Sequence, residues 1–174
     1  MNNQLIKVQS NTPLTSQTRQ VTSLLKLVAF SMGGLNLALR IESVYKVVNH
    51  MSTYSSGLGA VGVTHLAEGE ITVVDLHRRF FKFSQISSSN SGGYLIVVQN
   101  STGELYGIPV AETPALMEVP VEMIRVLPES YRRADTLDVA SHVAVIPQDG
   151  TPLTIFLLDV NRLLPIFQQS TAQS

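Results

Sequence analysis

Hydrophobic positions along this chain fall into short runs, and most of the runs have the period of β-strands. Residues 24–32 are almost continuously apolar, which is typical of a buried strand. Over residues 35–41 every second residue is a leucine or isoleucine, the period of a strand with one buried face. The segment 41–48 fits either a strand or one helical turn. Many short strands and few long helices predict a mainly β protein made of small barrels.

The rest of the chain continues this pattern. Further strands are predicted at residues 71–74, 94–98, 105–110, 116–119, 139–146 and 153–158. Short helices are predicted over 75–81 and from 159 to about 167. Loops are predicted at 52–56 and at 84–93, where serine, glycine and asparagine indicate a connection between lobes or a hairpin loop.

Two of the predicted strands end in the same phrase. Val73-Val74-Asp75-Leu76 and Leu157-Leu158-Asp159-Val160 both run from apolar residues into an aspartate, and the two aspartates lie 84 positions apart. An aspartate after a strand suits a helix N-terminus, because its carboxylate accepts a hydrogen bond from an unpaired backbone N–H. The similarity predicts a duplicated β unit.

This duplication sets the predicted domain organisation. Residues 1–22 are rich in polar side chains and are expected to form a flexible N-terminal tail. We expect a single domain over residues 23–168, with lobe one at about 23–90, lobe two at about 91–158 and a closing helix at about 159–167.

Composition narrows the function classes. Of the 174 residues, 44% are hydrophobic and 14% charged, which is typical of a folded globular protein. Twelve Lys and Arg against thirteen Asp and Glu give a formal charge of −1, so no positive field for nucleic-acid binding is expected. The chain has no cysteine for disulfides or thiolate zinc sites. Since it shows neither a membrane-length apolar run nor a signal-peptide pattern, we expect a cytoplasmic protein without direct membrane insertion.

The candidate chemical motifs are weak. Gly57–Gly62 matches the dinucleotide-binding spacing, but the required preceding strand and following helix are not predicted. The four histidines lack metal-ligand spacing. Asp75 and Asp159 could form an acid–base pair, but their matching contexts favour helix caps. We therefore predict no enzyme activity, no metal and no cofactor, and expect function to reside in exposed apolar groups and strand edges.

The order of these phrases over residues 24–167 resembles the CheW-like adaptor domains of bacterial chemotaxis. Residues 62–68 read Gly-Val-Thr-His-Leu-Ala-Glu where the family reads Gly-Val-x-Asn-Leu-Arg-Gly, and residues 72–76 correspond to its Pro-Val-x-Asp-Leu. The second lobe contributes the segment 105–110, Leu-Tyr-Gly-Ile-Pro-Val, and the closing phrase at 157–164.

The resemblance implies two five-stranded SH3-like β-barrels packed together, with short helices and a C-terminal helix. It implies a non-catalytic scaffold that couples the cytoplasmic tips of chemoreceptors to the regulatory domain of a chemotaxis-type histidine kinase, in bacterial taxis or motility signalling. Association with membrane receptor arrays would then occur through these partners. Two alternatives remain open: a degenerate CheW-like barrel protein that caps or modulates arrays, and a small-ligand-binding β-barrel.

In the family a hydrophobic groove between the barrels receives the receptor's helical hairpin, so apolar residues at the matching positions are candidates for partner contact. These are Ile41, Val44 and Val47 on the first lobe, and Ile108 and Val110 on the second. Each of them could equally be an ordinary core residue.

Three further candidates are departures from the family phrase. His65 replaces its asparagine, Ala67 its arginine and Glu68 its glycine. Alanine lacks the bidentate contacts that arginine makes, and glycine at the third position could serve a positive φ that glutamate does not favour. The departures indicate an adaptor tuned to a particular receptor or kinase.

Restoring the family residues should therefore strengthen or broaden kinase binding. We expect the double variant Ala67→Arg, Glu68→Gly to bind kinase regulatory domains more tightly than the native chain, because the arginine regains its bidentate donors. Affinity measured against a set of such domains checks this. Unchanged affinity for every domain would contradict the hypothesis.

Overall fold

The computed structural model describes residues 22–49, 54–55, 60–83, 92–132 and 137–171. Most of these residues lie in short strands joined by turns. The strands are Leu24–Met32 (β1), Leu35–Arg40 (β2), Val44–Asn49 (β3), Tyr54–Ser55 (β4), Val61–Leu66 (β5), Gly69–Val74 (β6), Tyr94–Gln99 (β7), Leu105–Val110 (β8), Ala115–Pro120 (β9), Ile124–Val126 (β10), Ala140–Ile146 (β11) and Leu153–Leu158 (β12). The helices are Leu76–Phe81 (α1), Glu129–Arg132 (α2) and Val160–Thr171 (α3), with 3₁₀ turns at Ile41–Ser43 (η1) and Val121–Met123 (η2).

The mainly β prediction is confirmed, and every predicted strand is present within a few residues. The ambiguous segment 41–48 holds both structures, first η1 and then β3. The predicted loop at 52–56 contains the two-residue strand β4. The predicted tail at 1–22, except for its last residue, and residues 84–91 of the predicted connection at 84–93 lie outside the described residues.

Besides β4, the strands β5 and β10 were not predicted. The buried face of β5 consists of Gly62 and Thr64 rather than of large apolar residues, so it lacks the alternation by which strands are recognised. The other strand, β10, has three residues and follows η2 directly, which is too short for a periodic signal.

The described strands form two sheets of six, ordered β10-β11-β12-β2-β1-β9 and β3-β7-β8-β6-β5-β4. In each sheet the two outermost strands are consecutive along the chain. Only η2 separates β9 from β10, so these two edges belong to one bent passage of chain. Counted as one bent strand, the β9–β10 passage makes its sheet five-stranded, as the SH3-like barrel prediction requires.

The two sheets exchange strands between the halves of the sequence. One sheet joins β1 and β2 to β9–β12, and the other joins β3–β6 to β7 and β8. The predicted lobes, contiguous at about 23–90 and about 91–158, are therefore wrong.

Two parallel pairings cause this exchange. β12 pairs with β2 through Phe156 and Leu37, and β6 pairs with β8 through Thr72 and Tyr106. Thr72 and Phe156 lie 84 positions apart, the spacing of the repeated aspartates. The closing strand of each half is thus hydrogen-bonded to the second strand of the other half, and the predicted duplication is present in exchanged form.

The main core lies between the sheets. It contains buried residues of both sheets and of both α1 and α3, among them Leu39, Ile96, Leu76 and Leu163. Each sheet also encloses a smaller cluster on its other face, around Ile155 in one and around Leu95 in the other. Because each cluster excludes water from one barrel interior, burial fixes the register of both sheets.

Both repeated aspartates cap helices, as predicted. The Asp75 carboxylate accepts a hydrogen bond from the Arg78 backbone N–H at 2.9 Å, and that of Asp159 accepts one from the Asn161 N–H at 3.0 Å. The Arg162 guanidinium lies 3.4 Å from Asp159, a local ion pair of the kind expected one helical turn after an aspartate.

A buried tyrosine connects the start of α3 to the opposite sheet. Tyr106 on β8 is fully buried, and its hydroxyl donates a hydrogen bond to the Val160 carbonyl. Burial raises the pKa of Tyr106 far above its ordinary value, and the nearby carboxylates of Asp159 and Glu104 raise it further. The neutral phenol is therefore part of the folded structure.

Replacing this tyrosine tests the connection. We expect Tyr106→Phe to lower the free energy of unfolding by about 1 kcal/mol at neutral pH, because a buried hydrogen bond is lost. Above pH about 10 the unfolded chain releases the tyrosine proton while the folded chain retains it. The free energy of unfolding of the native protein therefore falls, and its difference from that of the variant becomes smaller. Urea unfolding of both proteins from pH 7 to 11 measures the difference. A pH-independent difference would contradict the assignment.

Candidate protein-binding site

The three first-lobe candidates lie around η1 and β3. Ile41 begins η1 and Val44 begins β3, and both are half-buried against the main core. Val47 is 40% exposed, and Tyr45 on the same face of β3 is 51% exposed. Both side chains therefore expose apolar surface that a partner could bury, and β3 is also an edge strand.

The two second-lobe candidates, Ile108 and Val110, are core residues. Their exposed fractions are 0% and 1%, and both belong to the main core. β8 is paired on both sides, with β7 and with β6, so the side chains on this face pack between the sheets. A partner cannot reach them in this fold, and their assignment as binding residues is wrong.

Leu116 on β9 is a candidate that the sequence reasoning missed. It is 63% exposed, although it pairs with Val28, which pairs in turn with Leu39. Directly paired residues share a face of the sheet, and Val28 and Leu39 belong to the main core. The apolar surface between the sheets therefore continues through Leu116 into solvent at the edge strand.

Leu116 and the η1 residues flank the same strand. β1 lies between β9 and β2 in the sheet, and η1, which follows β2, contacts β1. We call Ile41, Val44 and Leu116 the core rim, since each borders the main core and reaches solvent. One sequence feature could have identified Leu116 as a candidate. β9 carries apolar residues on both faces, and since Met117 and Val119 face the barrel interior, Leu116 must lie on the other face.

The three departures from the family phrase lie at the β5–β6 turn. Leu66 pairs with Gly69, so Ala67 and Glu68 are the two turn residues, and both are exposed. The positive φ of this turn, 116°, falls on Gly69 rather than on Glu68. Glutamate at position 68 therefore imposes no backbone strain of the kind that the sequence suggested. His65 faces Glu70 across the strands, with 3.7 Å between Nε2 and Oε2.

Glu68 makes an ion pair with Lys46 of β3. The lysine Nζ lies 2.7 and 2.6 Å from the two carboxylate oxygens, and both side chains are 28% exposed. β3 is at one edge of its sheet and β5 is next to the other edge, so the pair bridges the two edges. The hydrogen bond that Lys46 donates lowers the pKa of Glu68. The β5–β6 turn is thus linked to β3 by a partly exposed ion pair.

Removing this ion pair should lower the stability of the folded protein at neutral pH but not at low pH. We expect Glu68→Gln to lower the urea midpoint slightly at pH 7, because a partly exposed ion pair contributes little. The pKa of Glu68 is lowered in the folded state, so its contribution is complete above the unfolded pKa of about 4.5 and disappears as the pH falls through the folded value. Urea midpoints at pH 7 and pH 3 measure this.

The matched control is Glu42→Gln, because Glu42 pairs with Arg40 and both of those side chains are about 60% exposed. It should change the midpoint less than Glu68→Gln. Equal midpoint losses for Glu68→Gln at pH 7 and pH 3 would contradict the assigned bridge.

The described residues lack the arrangements typical of metal sites and of bilayer-spanning helices. Within residues 22–171 as described, no three histidine, aspartate or glutamate side chains cluster as a metal site. His77 is buried with Nδ1 2.8 Å from the Phe83 carbonyl oxygen, and His142 Nδ1 lies 2.8 Å from the Ser141 hydroxyl. No helix in the described part of the chain combines the length and hydropathy needed to span a bilayer.

The comparisons with known proteins agree with this architecture. A sequence profile of the CheW-like domain matches residues 26–167. The crystal structure of the scaffolding protein TtCheW from Thermoanaerobacter tengcongensis superposes with a TM-score of 0.64 at 20% identity, covering 83% of this chain and 90% of that one. A search of curated proteins found no match. The profile spans most of the chain in the order of the observed strands, and the chain therefore belongs to the family of CheW-like domains.

Proposed function

We propose that this protein is a non-catalytic cytoplasmic scaffold that couples chemoreceptors to a chemotaxis-type histidine kinase. Membership of the CheW-like family supports the general role in chemotaxis signalling. The observation that carries the proposal is the core rim, where Leu116 is 63% exposed on edge strand β9 and the half-buried η1 residues lie across β1 from it. Exposed apolar residues that continue a core are typical of protein-binding surfaces.

The core rim suits the apolar face of a receptor helix. Such a helix presents side chains at three- and four-residue spacing, and these could cover Leu116 together with the residues of η1. A few well-buried apolar anchors commonly supply most of the binding free energy of an interface. Leu116 is the rim residue with the most exposed surface left to bury, so we assign it as the main anchor.

The kinase would contact a different surface, formed by the β5–β6 turn and the exposed face of β3. This surface combines the apolar Tyr45 and Val47 with the charged turn residue Glu68. Because Lys46 already pairs with Glu68, a kinase that approaches here would meet a paired charge at the turn where the family phrase carries an arginine. We infer that this difference selects the cognate kinase, since charge patterns at an interface determine partner choice.

Co-elution tests the proposal directly. The purified chain is passed over a sizing column with a receptor-tip fragment, with the regulatory domain of each chemotaxis-type kinase of the same organism, and with both. A complex of all three components supports the coupling function. Binding to a kinase without any receptor would favour an array-capping protein, and binding to neither would overturn the proposal.

The core rim makes a specific prediction. We expect Leu116→Ser to weaken receptor-tip binding about tenfold or more while kinase binding is unchanged, because burying a leucine contributes about 1.5–3 kcal/mol. Calorimetric titration of the tip fragment measures the affinity.

The control for this variant is Val126→Ser on β10, since Val126 is 65% exposed, similar to Leu116, but lies on the opposite edge strand. It should leave receptor-tip affinity within about twofold of the native value. Equal losses of receptor-tip affinity in both variants would contradict the assignment of the core rim as the receptor-binding surface.

A further inference from the structure

A small cavity opens at one end of the barrel that contains β1 and β9. Its volume is about 210 Å³, and its floor consists of Ala29, Met117, Leu153 and Ile155. These four residues belong to or pack against the inner cluster of this barrel. The cavity is therefore an apolar recess at the end of a barrel interior.

The mouth of the cavity is polar and carries one charge. Glu112, between β8 and β9, is the single charged residue among those that line the cavity. Among the described residues its carboxylate makes no hydrogen bond or ion pair. The Thr113 hydroxyl, 2.9 Å from that of Tyr94, and the Asn36 amide lie at the same mouth. An apolar recess with an unpaired carboxylate at its entrance is complementary to an aliphatic stem that ends in a cation.

The size of the cavity indicates what fits. Sites for cofactors and drug-sized ligands usually measure about 300–1,000 Å³, so this recess is small for a free metabolite. A lysine or arginine side chain has the required shape, because its methylene stem covers apolar surface while its charged head stays near water.

The cavity and the core rim share the edge strand β9. Ala115 and Met117 line the cavity, and Leu116 between them points to the opposite face of the strand. The anchor residue and the cavity lining are therefore consecutive residues of one edge strand, within reach of a single partner that covers this edge.

We propose that this cavity binds a lysine or arginine side chain of the partner helix that docks on the core rim, with Glu112 as its counter-ion. The inference rests on the proposed function for the identity of the helix. The preference for a cation is a property of the cavity itself and can be measured without a partner.

The first test uses n-pentylammonium as a stand-in for a lysine side chain and n-pentanol as its uncharged counterpart. Each is titrated into protein with ¹³C-labelled methyl groups, and the Met117, Leu153 and Ile155 resonances are followed by NMR. We expect both to move these resonances, with pentylammonium binding about threefold more tightly, as a partly exposed charge pair allows. Equal affinities, or unmoved methyl resonances, would overturn the proposal.

Two variants assign the preference to one carboxylate. Glu112→Gln keeps the shape and removes the charge, so the two probes should bind it equally. Glu122→Gln is the matched control, because Glu122 is also exposed but lies in η2 and does not line the cavity. A cation preference that survives in Glu112→Gln would also overturn the proposal.

The second test separates this inference from the proposed function. With the receptor-tip fragment, we expect Glu112→Gln to weaken binding about threefold and to reduce its dependence on salt. If Leu116→Ser weakens binding and Glu112→Gln does not, the docking surface stands and the cavity proposal fails. If no receptor tip binds the native chain, the proposed function fails, and a retained preference for pentylammonium supports a cation pocket for another partner.

Discussion

The whole structure depends on two short parallel strand pairings, β6 with β8 and β12 with β2. A parallel pair cannot be closed by a tight turn, so each pairing needs a long stretch of intervening chain. Here each half of the sequence supplies the closing strand of the other half's sheet. Neither sheet can form from one half alone, and the two barrels are consequently held in one fixed arrangement.

This exchange also explains where the buried polar contacts lie. The closing strands β6 and β12 lead directly into α1 and α3. Both helices therefore begin in the region between the sheets. Tyr106 on one sheet can therefore donate its hydrogen bond to Val160 at the start of the helix that follows the other. Arg79 of α1 reaches Asp138, near β11, at 2.6 Å in the same way. These contacts join elements that are far apart in sequence, and they add directional specificity to a core that is otherwise apolar.

Sequence periodicity predicted most of the strands, because burial of one face produces an alternating pattern wherever the buried residues are large. It failed at β5, whose buried positions are Gly62 and Thr64. It also failed for the lobes, since strand exchange depends on pairings between residues such as Thr72 and Tyr106, about which local pattern carries no information. Among the candidate site residues, Ile108 was misassigned because alternation cannot distinguish a strand buried between two sheets from one that faces a groove.

The edge strand β9 shows how this fold produces a binding surface without an enclosed site. A strand in the middle of a sheet buries both faces here, as β8 does, whereas β9 has a neighbour on one side only. Its two faces consequently end in different environments, with Leu116 beside the main core and Met117 beside the barrel cavity. An apolar anchor and a recess with a carboxylate at its mouth are thereby placed on consecutive residues. A partner that uses both would be selected by hydrophobic shape and by charge at the same edge, which gives more discrimination than either contact alone.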